Sequence, residues 1–470
     1  MRPAVEAEKL GIPGVVVTTT GFTNIAKAAA KAEGMADVRI AEYPGAVGVH
    51  ADELVVKNVE NVLFERIVAQ LTKPLEAGSS SRPKEGTSRT DGVRSGTAIQ
   101  AKSAADHIVY EGSFEDINDY FRSREWTDEL PIVPPTTEKV EAFLKYTDRA
   151  PDECIAVLPQ ANLQAVPWNI AANGVMAGCR PDSMPLLIAT VEAIADNTYN
   201  LNNIGTTWGV LPFLLINGPA AERLGIENGG QLISKGANPA LGRALGLIIK
   251  NIAGYKLGRN YMGTFGYPNN FVIAENEKES PWEPYHVEHG FRKEDTTVTA
   301  CGTVTWGWPP AIYGTSDKTA AQTALEFLSL ELTKKPCLAR LAERGPNGFR
   351  NMITILLAPP VAKSLASAGY SKQNIREYLY EHARVSYEEL EFVLKYGHSE
   401  AFTIPDAVER GIYPEEYLGS EDRLLRVVPS PDVINIVVCG DPHRNRVMVL
   451  WGGYVNPVTR KVTVSYARQA

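Results

Sequence analysis

Residues 203–275 hold the side chains best suited to binding a small molecule. Hydroxyl groups precede an apolar run that is typical of a buried strand, and an amide and a guanidinium lie at the start of a helical pattern. The end of a strand is where α/β folds commonly bind ligands. The residues that we predict to bind substrate are Thr206, Thr207, Trp208, Asn238 and Arg243.

The pair Asn238 and Arg243 favours an anion as the ligand. Asn238 precedes Pro239, which predicts a helix with asparagine at its N-cap and proline at its first position. A helix N-terminus attracts anions, and a guanidinium one turn later offers a planar fork to a carboxylate or phosphate. The alternative is a capped core helix with an exposed arginine. The sequence matches neither nucleotide-binding glycine motif, so no nucleotide is predicted.

Three further residues could take part in catalysis. Glu275 follows the predicted strand 271–274, where a carboxylate can act as acid or base; a solvated loop charge is the alternative. Cys179 stands beside an arginine at a predicted helix end and could be a nucleophile, although the helix C-terminus raises a thiol pKa. A buried, inert thiol is the alternative. Cys439 closes another predicted strand.

The residues after Cys439 allow two interpretations. Cys439, Asp441 and His443 could form a thiolate–imidazole group. The alternative is a β-turn built on Gly-Asp-Pro.

Composition limits the classes of partner and cofactor. The net charge of −8 argues against a general nucleic-acid or anionic-membrane binder, and no apolar run reaches the ~18 residues that a membrane span needs. The five cysteines are scattered and form no CxxC motif, which predicts free thiols and a cytoplasmic protein. His286 and His289 form an HxxH pair in a stretch typical of a loop, so no metal site is predicted. The sequence names no cofactor.

The element pattern predicts an α/β protein in three parts. Residues 1–73 alternate strand and helix, which predicts a small parallel α/β unit. Residues 74–106 are rich in Ser, Gly and charge and predict a disordered linker. Residues 107–470 predict a large mixed α/β body, which we expect to subdivide near 315. Thr19 and Thr20 lie where the first strand meets its helix. They could bind a ligand; the alternative is that they are ordinary strand and cap residues.

Apolar runs and helical periodicity predict the elements of the large body. The predicted strands are 210–217, 271–274, 296–305, 352–357, 432–438, 446–451 and 462–466. The predicted helices are 113–124, 138–144, 169–178, 185–195, 318–332, 361–368 and 372–383.

Two sets of motifs resemble a known family. The segment GIPGVVVTTTGFTNIAKAAAKAEGM, with a later YPG, resembles the UGSC-type (seleno)cysteine family, which is similar to the B component of glycine and betaine reductases. That family carries a Sec- or Cys-Gly-Ser-Cys motif, which this sequence lacks. The segments WTDELPIVPPT, NGVMAGCRP, TTWGVLP, GANPALGRA and AENEKESPW resemble its companion domain. The companion pattern more often reads WTDGLP, where Glu129 stands here.

The resemblance implies a thiol- or selenol-dependent enzyme. It would be a reductase or would cleave a carbon–heteroatom bond in a small anionic organic substrate. A missing N-terminal segment or a small separate subunit would supply the thiol or selenol, and we expect an oligomer. The N-terminal unit is also short of a strand that one would expect before it. The alternatives are a non-redox lyase or hydrolase that uses the large body alone, and a non-catalytic subunit of a complex.

Overall fold

The computed structural model describes most of the chain in two units. The described residues are 2–20, 22–23, 26–27, 30, 35, 37–45, 52–73, 108–266, 269–334, 352–397, 403–409, 413–419 and 423–463. Unit 1 comprises residues 1–97, 343–348 and 391–414, and unit 2 comprises the remainder. The predicted linker 74–106 lies outside the described residues.

The α-helices lie between stretches of strand along both units. They are α1 (Arg2–Lys9), α2 (Asp52–Asn58), α3 (Phe64–Thr72), α4 (Phe114–Ser123), α5 (Thr137–Leu144), α6 (Pro167–Ala177), α7 (Met184–Ile194), α8 (Ala220–Arg223), α9 (Asn238–Asn251), α10 (Tyr285–Glu288), α11 (Ala320–Thr333), α12 (Pro359–Ser367), α13 (Lys372–His382), α14 (Tyr387–Tyr396) and α15 (Ile404–Glu409). A π-helical segment, Val59–Leu63, joins α2 to α3. None of the described helices is long and apolar enough to cross a lipid bilayer.

The strands belong to two four-stranded sheets and three two-stranded pairs. They are β1 (Val16–Thr19), β2 (Ile40–Tyr43), β3 (Ala156–Leu158), β4 (Leu163–Ala165), β5 (Leu211–Asn217), β6 (Phe271–Ala274), β7 (Thr297–Thr303), β8 (Thr305–Trp306), β9 (Ile353–Leu357), β10 (Arg384–Ser386), β11 (Leu424–Arg426), β12 (Ile434–Val438), β13 (Val447–Trp451) and β14 (Val458–Lys461).

In unit 1, β1 and β2 pair in parallel, as the alternation of strand and helix predicts. Tyr43 on β2 is fully buried and packs in one apolar cluster with Leu63. Arg39, which precedes β2, forms a buried ion pair with Glu8 of α1. Most of residues 21–34, which follow β1, lie outside the described residues.

In unit 2, each large sheet contains one parallel pair. The first sheet has the order β14-β7-β5-β6, with β5 and β6 parallel, and the second has the order β12-β9-β13-β8, with β9 and β12 parallel. Every residue of β5, β6, β9 and β12 is buried. Side chains from both sheets share one apolar cluster, which includes Phe213, Phe271, Val437 and Leu450.

A backbone hydrogen bond joins the two sheets at the ends of their parallel strands. The Asn276 amide, just past β6, donates to the Val438 carbonyl at the end of β12 over 2.7 Å. The Glu275 amide donates to Ile216 of β5 over 3.1 Å. The carboxyl ends of β5, β6 and β12 therefore lie side by side.

The sequence predicted most of these elements, including an α/β fold. The strands at 210–217, 271–274, 352–357, 432–438 and 446–451 are confirmed within one or two residues. Of the predicted last strand, 462–466, only residues 462–463 are described: β14 ends at Lys461, and the Val462 amide still donates to the Thr296 carbonyl at 2.8 Å. The loop prediction around His286 was wrong, because Tyr285–Glu288 form one helical turn. The observed α9 begins at Asn238 itself, and Ala237 is its N-cap.

Glu129 occupies a backbone conformation that glycine adopts more readily. Its φ is 69°, in the left-handed region where a β-carbon costs roughly 1–2 kcal/mol. The turn places Asp128 beside Arg243 of α9. Glycine would adopt this conformation without that cost.

We predict that Glu129→Gly stabilises the protein by about 1 kcal/mol, because relief of the left-handed strain outweighs the extra backbone entropy of glycine. The measurement is the thermal unfolding midpoint. The control is Glu138→Gly in the first turn of α5, where glycine costs about 1 kcal/mol and should lower the midpoint. Equal destabilisation by both variants would contradict the explanation.

Candidate functional site

A buried polar cluster lies at the joined carboxyl ends of β5 and β6. The Glu275 carboxylate is fully buried, and its Oε2 accepts hydrogen bonds from Asn217 Nδ2 at 2.6 Å and from the Tyr285 amide at 2.7 Å. Glu275 Oε1 is buried and accepts no hydrogen bond. Burial raises the pKa of Glu275, and the opposing charge of Lys372 reduces that rise.

Lys372 connects this cluster to further carboxylates. Its Nζ lies 3.7 Å from Glu275 Oε1, and it donates to the Glu283 carbonyl at 2.7 Å and to Glu288 at 2.9 Å. His286 is fully buried with Nδ1 3.8 Å from Glu277 Oε1, and neither ring nitrogen has a hydrogen-bond partner. The cluster is a network of ionisable groups enclosed by protein.

A cavity of about 400 Å³ opens next to the end of β12, and we call it the strand-end cavity. Cys439, at the end of β12, lines it together with the ends of β9 and the start of β13. A loop that contains Gly229 and Gly230 forms the opposite wall. The cavity therefore sits where the carboxyl ends of the parallel pair β9 and β12 open.

Two arginines make the strand-end cavity suitable for an anion. Arg446 lines it and donates to the Pro309 carbonyl at 3.0 Å. No carboxylate among the described residues forms an ion pair with Arg446, so its charge is available to a ligand. Arg444 also lines the cavity, and its Nε lies 3.8 Å from Asp441 Oδ2.

Cys439 lines this cavity as a protonated thiol. Its side chain is nearly inaccessible, and burial raises its pKa to about 12, with a smaller contribution from the charge of Glu275. The Glu275 carboxylate and the Cys439 thiol are thus electrostatically coupled. A thiol with this pKa keeps its proton at neutral pH and is a poor nucleophile.

The segment after Cys439 forms a turn. The His443 amide donates to Asp441 Oδ1 at 2.9 Å, and the Arg444 amide donates to the Asp441 carbonyl at 3.2 Å. His443 is exposed. These bonds are those of the β-turn that was the alternative to a thiolate–imidazole group.

Asn238 has a structural role in the described contacts. Its Oδ1 accepts from the Glu227 amide at 2.8 Å, and its Nδ2 donates to the carbonyls of Glu227 and Val272. The side chain is completely buried. These bonds hold the base of the loop that forms a wall of the strand-end cavity.

Arg243 already has an anionic partner within the protein. Its Nε and Nη2 each donate to Asp128 at 2.8 Å, and Nη2 also reaches the carbonyls of Leu130 and Pro131. Burial pushes the pKa of Asp128 upward, but the hydrogen bond and charge of Arg243 outweigh it, and the net pKa lies below the usual value. Gly242 beside it permits close packing, since a β-carbon there would lie 2.1 Å from the Asn270 carbonyl oxygen.

Arg243 nevertheless lines a second cavity of about 370 Å³, which we call the glycine-rich cavity. Lys250 and Thr264 line it too. Thr207 contacts its edge, because the Thr207 carbonyl accepts from both the amide and the hydroxyl of Thr264. Thr206 and Trp208 are half-buried next to it; Thr206 Oγ1 has no hydrogen-bond partner, and Trp208 packs edge-on against Tyr454.

The structure separates the predicted binding residues from the predicted acid or base. Arg243 and Asn270 line the glycine-rich cavity at the amino end of β6, whereas Glu275 follows its carboxyl end. A four-residue strand separates them by roughly 13 Å. Of the predicted catalytic residues, Glu275 and Cys439 are brought together, whereas Thr207 and Arg243 lie at the glycine-rich cavity.

Cys179 lies in a different place again. It follows the C-terminal glycine of α6 and lines a cavity of about 270 Å³ with Arg180 and Ser183. Burial raises its pKa to about 12, although Arg243 acts in the opposite direction. The local geometry holds a neutral thiol.

Thr19 and Thr20 belong to unit 1. Thr19 pairs with Tyr43 in the parallel ladder. The Thr20 hydroxyl accepts from the Gly45 amide at 3.0 Å and donates to Glu42 and to the Tyr43 carbonyl at 3.3 Å. The Thr20 contacts cap the end of β1.

Within the described part of the chain, no three His, Cys, Asp or Glu side chains are grouped so that they could hold a metal ion. His289 Nδ1 lies 2.7 Å from the Tyr285 carbonyl oxygen. Each histidine of the HxxH pair thus lies beside a group of the same chain, His289 beside the Tyr285 carbonyl and His286 beside Glu277.

Arg444 and Arg446 were missed by the sequence interpretation. Their signal is the segment HRNR, which places two arginines directly after the glycine turn that ends a buried strand.

Comparisons with known proteins identify one part of the chain. Residues 1–73 match the model of the UGSC family, which confirms the resemblance predicted for this segment. No curated protein and no solved structure matches the chain. The companion-domain resemblance of the large body stays a prediction.

The pair Asp128 and Arg243 should contribute measurably to stability, because both side chains are less than a quarter exposed and their contact is bidentate. The free energies of unfolding of Asp128→Asn, Arg243→Gln and the double variant form a double-mutant cycle. It should give a coupling free energy of about 1–3 kcal/mol at pH 7. The pKa of Asp128 is lowered in the folded state, so this stability is complete above its unfolded pKa and is lost as pH falls through the lower folded value. A coupling that is unchanged from pH 7 to pH 2 would contradict this.

Cys439 should be alkylated slowly at pH 8. With its pKa at about 12, we expect iodoacetamide to modify it at least about a hundredfold more slowly than the exposed Cys154, as measured by peptide mass spectrometry. Glu275→Gln should accelerate the modification several-fold, because removing the carboxylate charge lowers the thiol pKa. The control is Glu279→Gln, which removes a carboxylate that is paired with Lys363. Identical rates for Glu275→Gln and wild type would refute the coupling.

Proposed function

We propose that the chain is part of a thiol- or selenol-dependent enzyme that acts on a small organic anion, and that the strand-end cavity of unit 2 holds the anion. The observation that carries this proposal is Arg446, which lines the cavity without a carboxylate partner among the described residues. A guanidinium that lacks an internal partner favours a bound carboxylate. The family match of residues 1–73 supports the thiol or selenol part.

In this proposal Arg446 and Arg444 bind the anionic group, and the loop glycines allow the backbone to approach it. Cys439 faces the ligand as a neutral thiol and offers its S–H as a hydrogen-bond donor. Glu275 is a positioning residue, because it is enclosed by protein and acts through its charge on Cys439. Cys179 lines a separate cavity and has no role here.

The thiolate or selenolate of the reaction comes from elsewhere in the assembly. Burial raises the pKa of Cys179, Cys301 and Cys439, so none of the three is poised as a thiolate. We propose a partner polypeptide that carries the Cys- or Sec-Gly-Ser-Cys motif of the family. The raised thiol pKa values also favour a second candidate, a non-redox lyase or hydrolase in which unit 2 acts without such a partner.

The anion site can be tested without knowledge of the reaction. We expect Arg446→Gln to weaken the binding of propionate to the full chain by about 10- to 100-fold in isothermal titration calorimetry, because a charge-assisted hydrogen bond is lost. The matched control is Arg149→Gln, which removes an exposed arginine paired with Glu153 and should leave binding unchanged.

Wild-type affinity in the Arg446→Gln variant would refute the site. Once a substrate is in hand, activity that needs the motif-bearing partner supports the thiol or selenol enzyme. Full activity of the chain alone after iodoacetamide treatment supports the lyase or hydrolase.

A further inference from the structure

The strand-end cavity is next to a larger and more apolar one. This second cavity measures about 740 Å³, and we call it the apolar cavity. Phe271 and Trp306 meet edge to face in its wall, with ring centroids 5.3 Å apart. Leu211 and Ile233 complete the apolar lining. The indole of Trp306 is about half exposed, so an aromatic surface faces the cavity space.

One short segment forms the partition between the two cavities. Gln231 and Leu232 line both the strand-end cavity and the apolar cavity. They lie at the tip of a loop whose base is closed by the bridge between Ile226 and Gly236. Gln231 has a φ of 61°, a left-handed conformation that a non-glycine residue adopts rarely. The loop therefore places two side chains where a ligand could pass from one cavity to the other.

The sizes of the two cavities argue against a very small ligand. The strand-end cavity alone accommodates a two- or three-carbon acid, and such a ligand would leave the 740 Å³ of the apolar cavity without function. Ligand sites in proteins are commonly about 300–1,000 Å³ and mostly apolar, with a few polar groups that set orientation. Each of the two cavities has a volume in that range, and they divide the chemistry between them: the strand-end cavity supplies charged groups and the apolar cavity supplies aromatic and aliphatic surface.

We propose that the ligand is an amphipathic organic acid whose carboxylate binds Arg446 and whose aromatic or aliphatic body crosses the partition to rest against Trp306 and Phe271. This inference rests on the proposed anion site and adds the class of substrate. Arg446 recognises the negative charge of the ligand, and the apolar cavity recognises its aromatic or aliphatic part. The side chains of Gln231 and Leu232 at the loop tip limit the width of the ligand body that can extend from one cavity into the other.

A series of acids tests the proposal by calorimetry on the full chain. The probes are propionate, hexanoate and 3-phenylpropionate. We expect affinity to rise roughly fourfold for each methylene that becomes buried, and 3-phenylpropionate to bind at least about tenfold more tightly than propionate.

Two variants locate the apolar body. Trp306→Ala should remove most of the affinity that 3-phenylpropionate gains over propionate. The affinity for propionate itself should stay unchanged. Ile233→Ala, on the loop, should lower the affinity for 3-phenylpropionate in the same way but less. This second variant keeps the test valid if Trp306→Ala does not fold. Trp308→Ala is the control, since Trp308 is also exposed but lines neither cavity.

The outcomes separate the two proposals. If propionate binds in an Arg446-dependent manner but the three acids have equal affinity, the amphipathic substrate is wrong and the anion site stands. The inference is also overturned if 3-phenylpropionate still binds more tightly than propionate in both Trp306→Ala and Ile233→Ala. If none of the acids binds, the anion site fails and the substrate class fails with it.

Discussion

The hydrogen bond from the Asn276 amide to the Val438 carbonyl is the contact on which the candidate site depends. It joins the end of β6 in one sheet to the end of β12 in the other. Parallel strands place their carboxyl ends on the same edge, so one contact brings together the residues that follow three buried strands. Glu275 becomes a neighbour of Cys439 in this way, and the cavity with Arg446 opens beside them.

Burial at this junction determines what each ionisable group can do. Glu275 and Cys439 both have raised pKa values, because the enclosing protein disfavours their charged forms. Lys372 supplies the compensating charge at 3.7 Å from Glu275, and Arg446 is left with its charge facing the cavity. The site thus combines buried ionisable groups on the inside with the Arg446 cation at the cavity.

The sequence predicted local elements well and long-range partners poorly. The buried strands were found because apolar runs bounded by glycine or proline are a local signal, and Glu275 was rightly placed at the end of β6. The role of Arg243 could not be read in the same way, because its partner Asp128 lies 115 residues away in sequence. Asn238 was interpreted as a cap, whereas its amide binds the backbone of a loop that precedes it. Arg444 and Arg446 were missed because the role of an arginine after a turn depends on the cavity around it, which the sequence does not show.

The decisive measurement is the position of a bound acid in the protein. A crystal structure of the full chain grown with 3-(methylseleno)propionate would locate the selenium by its anomalous signal. We predict a peak in the strand-end cavity, with the carboxylate on the Arg446 guanidinium. A peak beside Lys250 in the glycine-rich cavity, with the strand-end cavity empty, would contradict it.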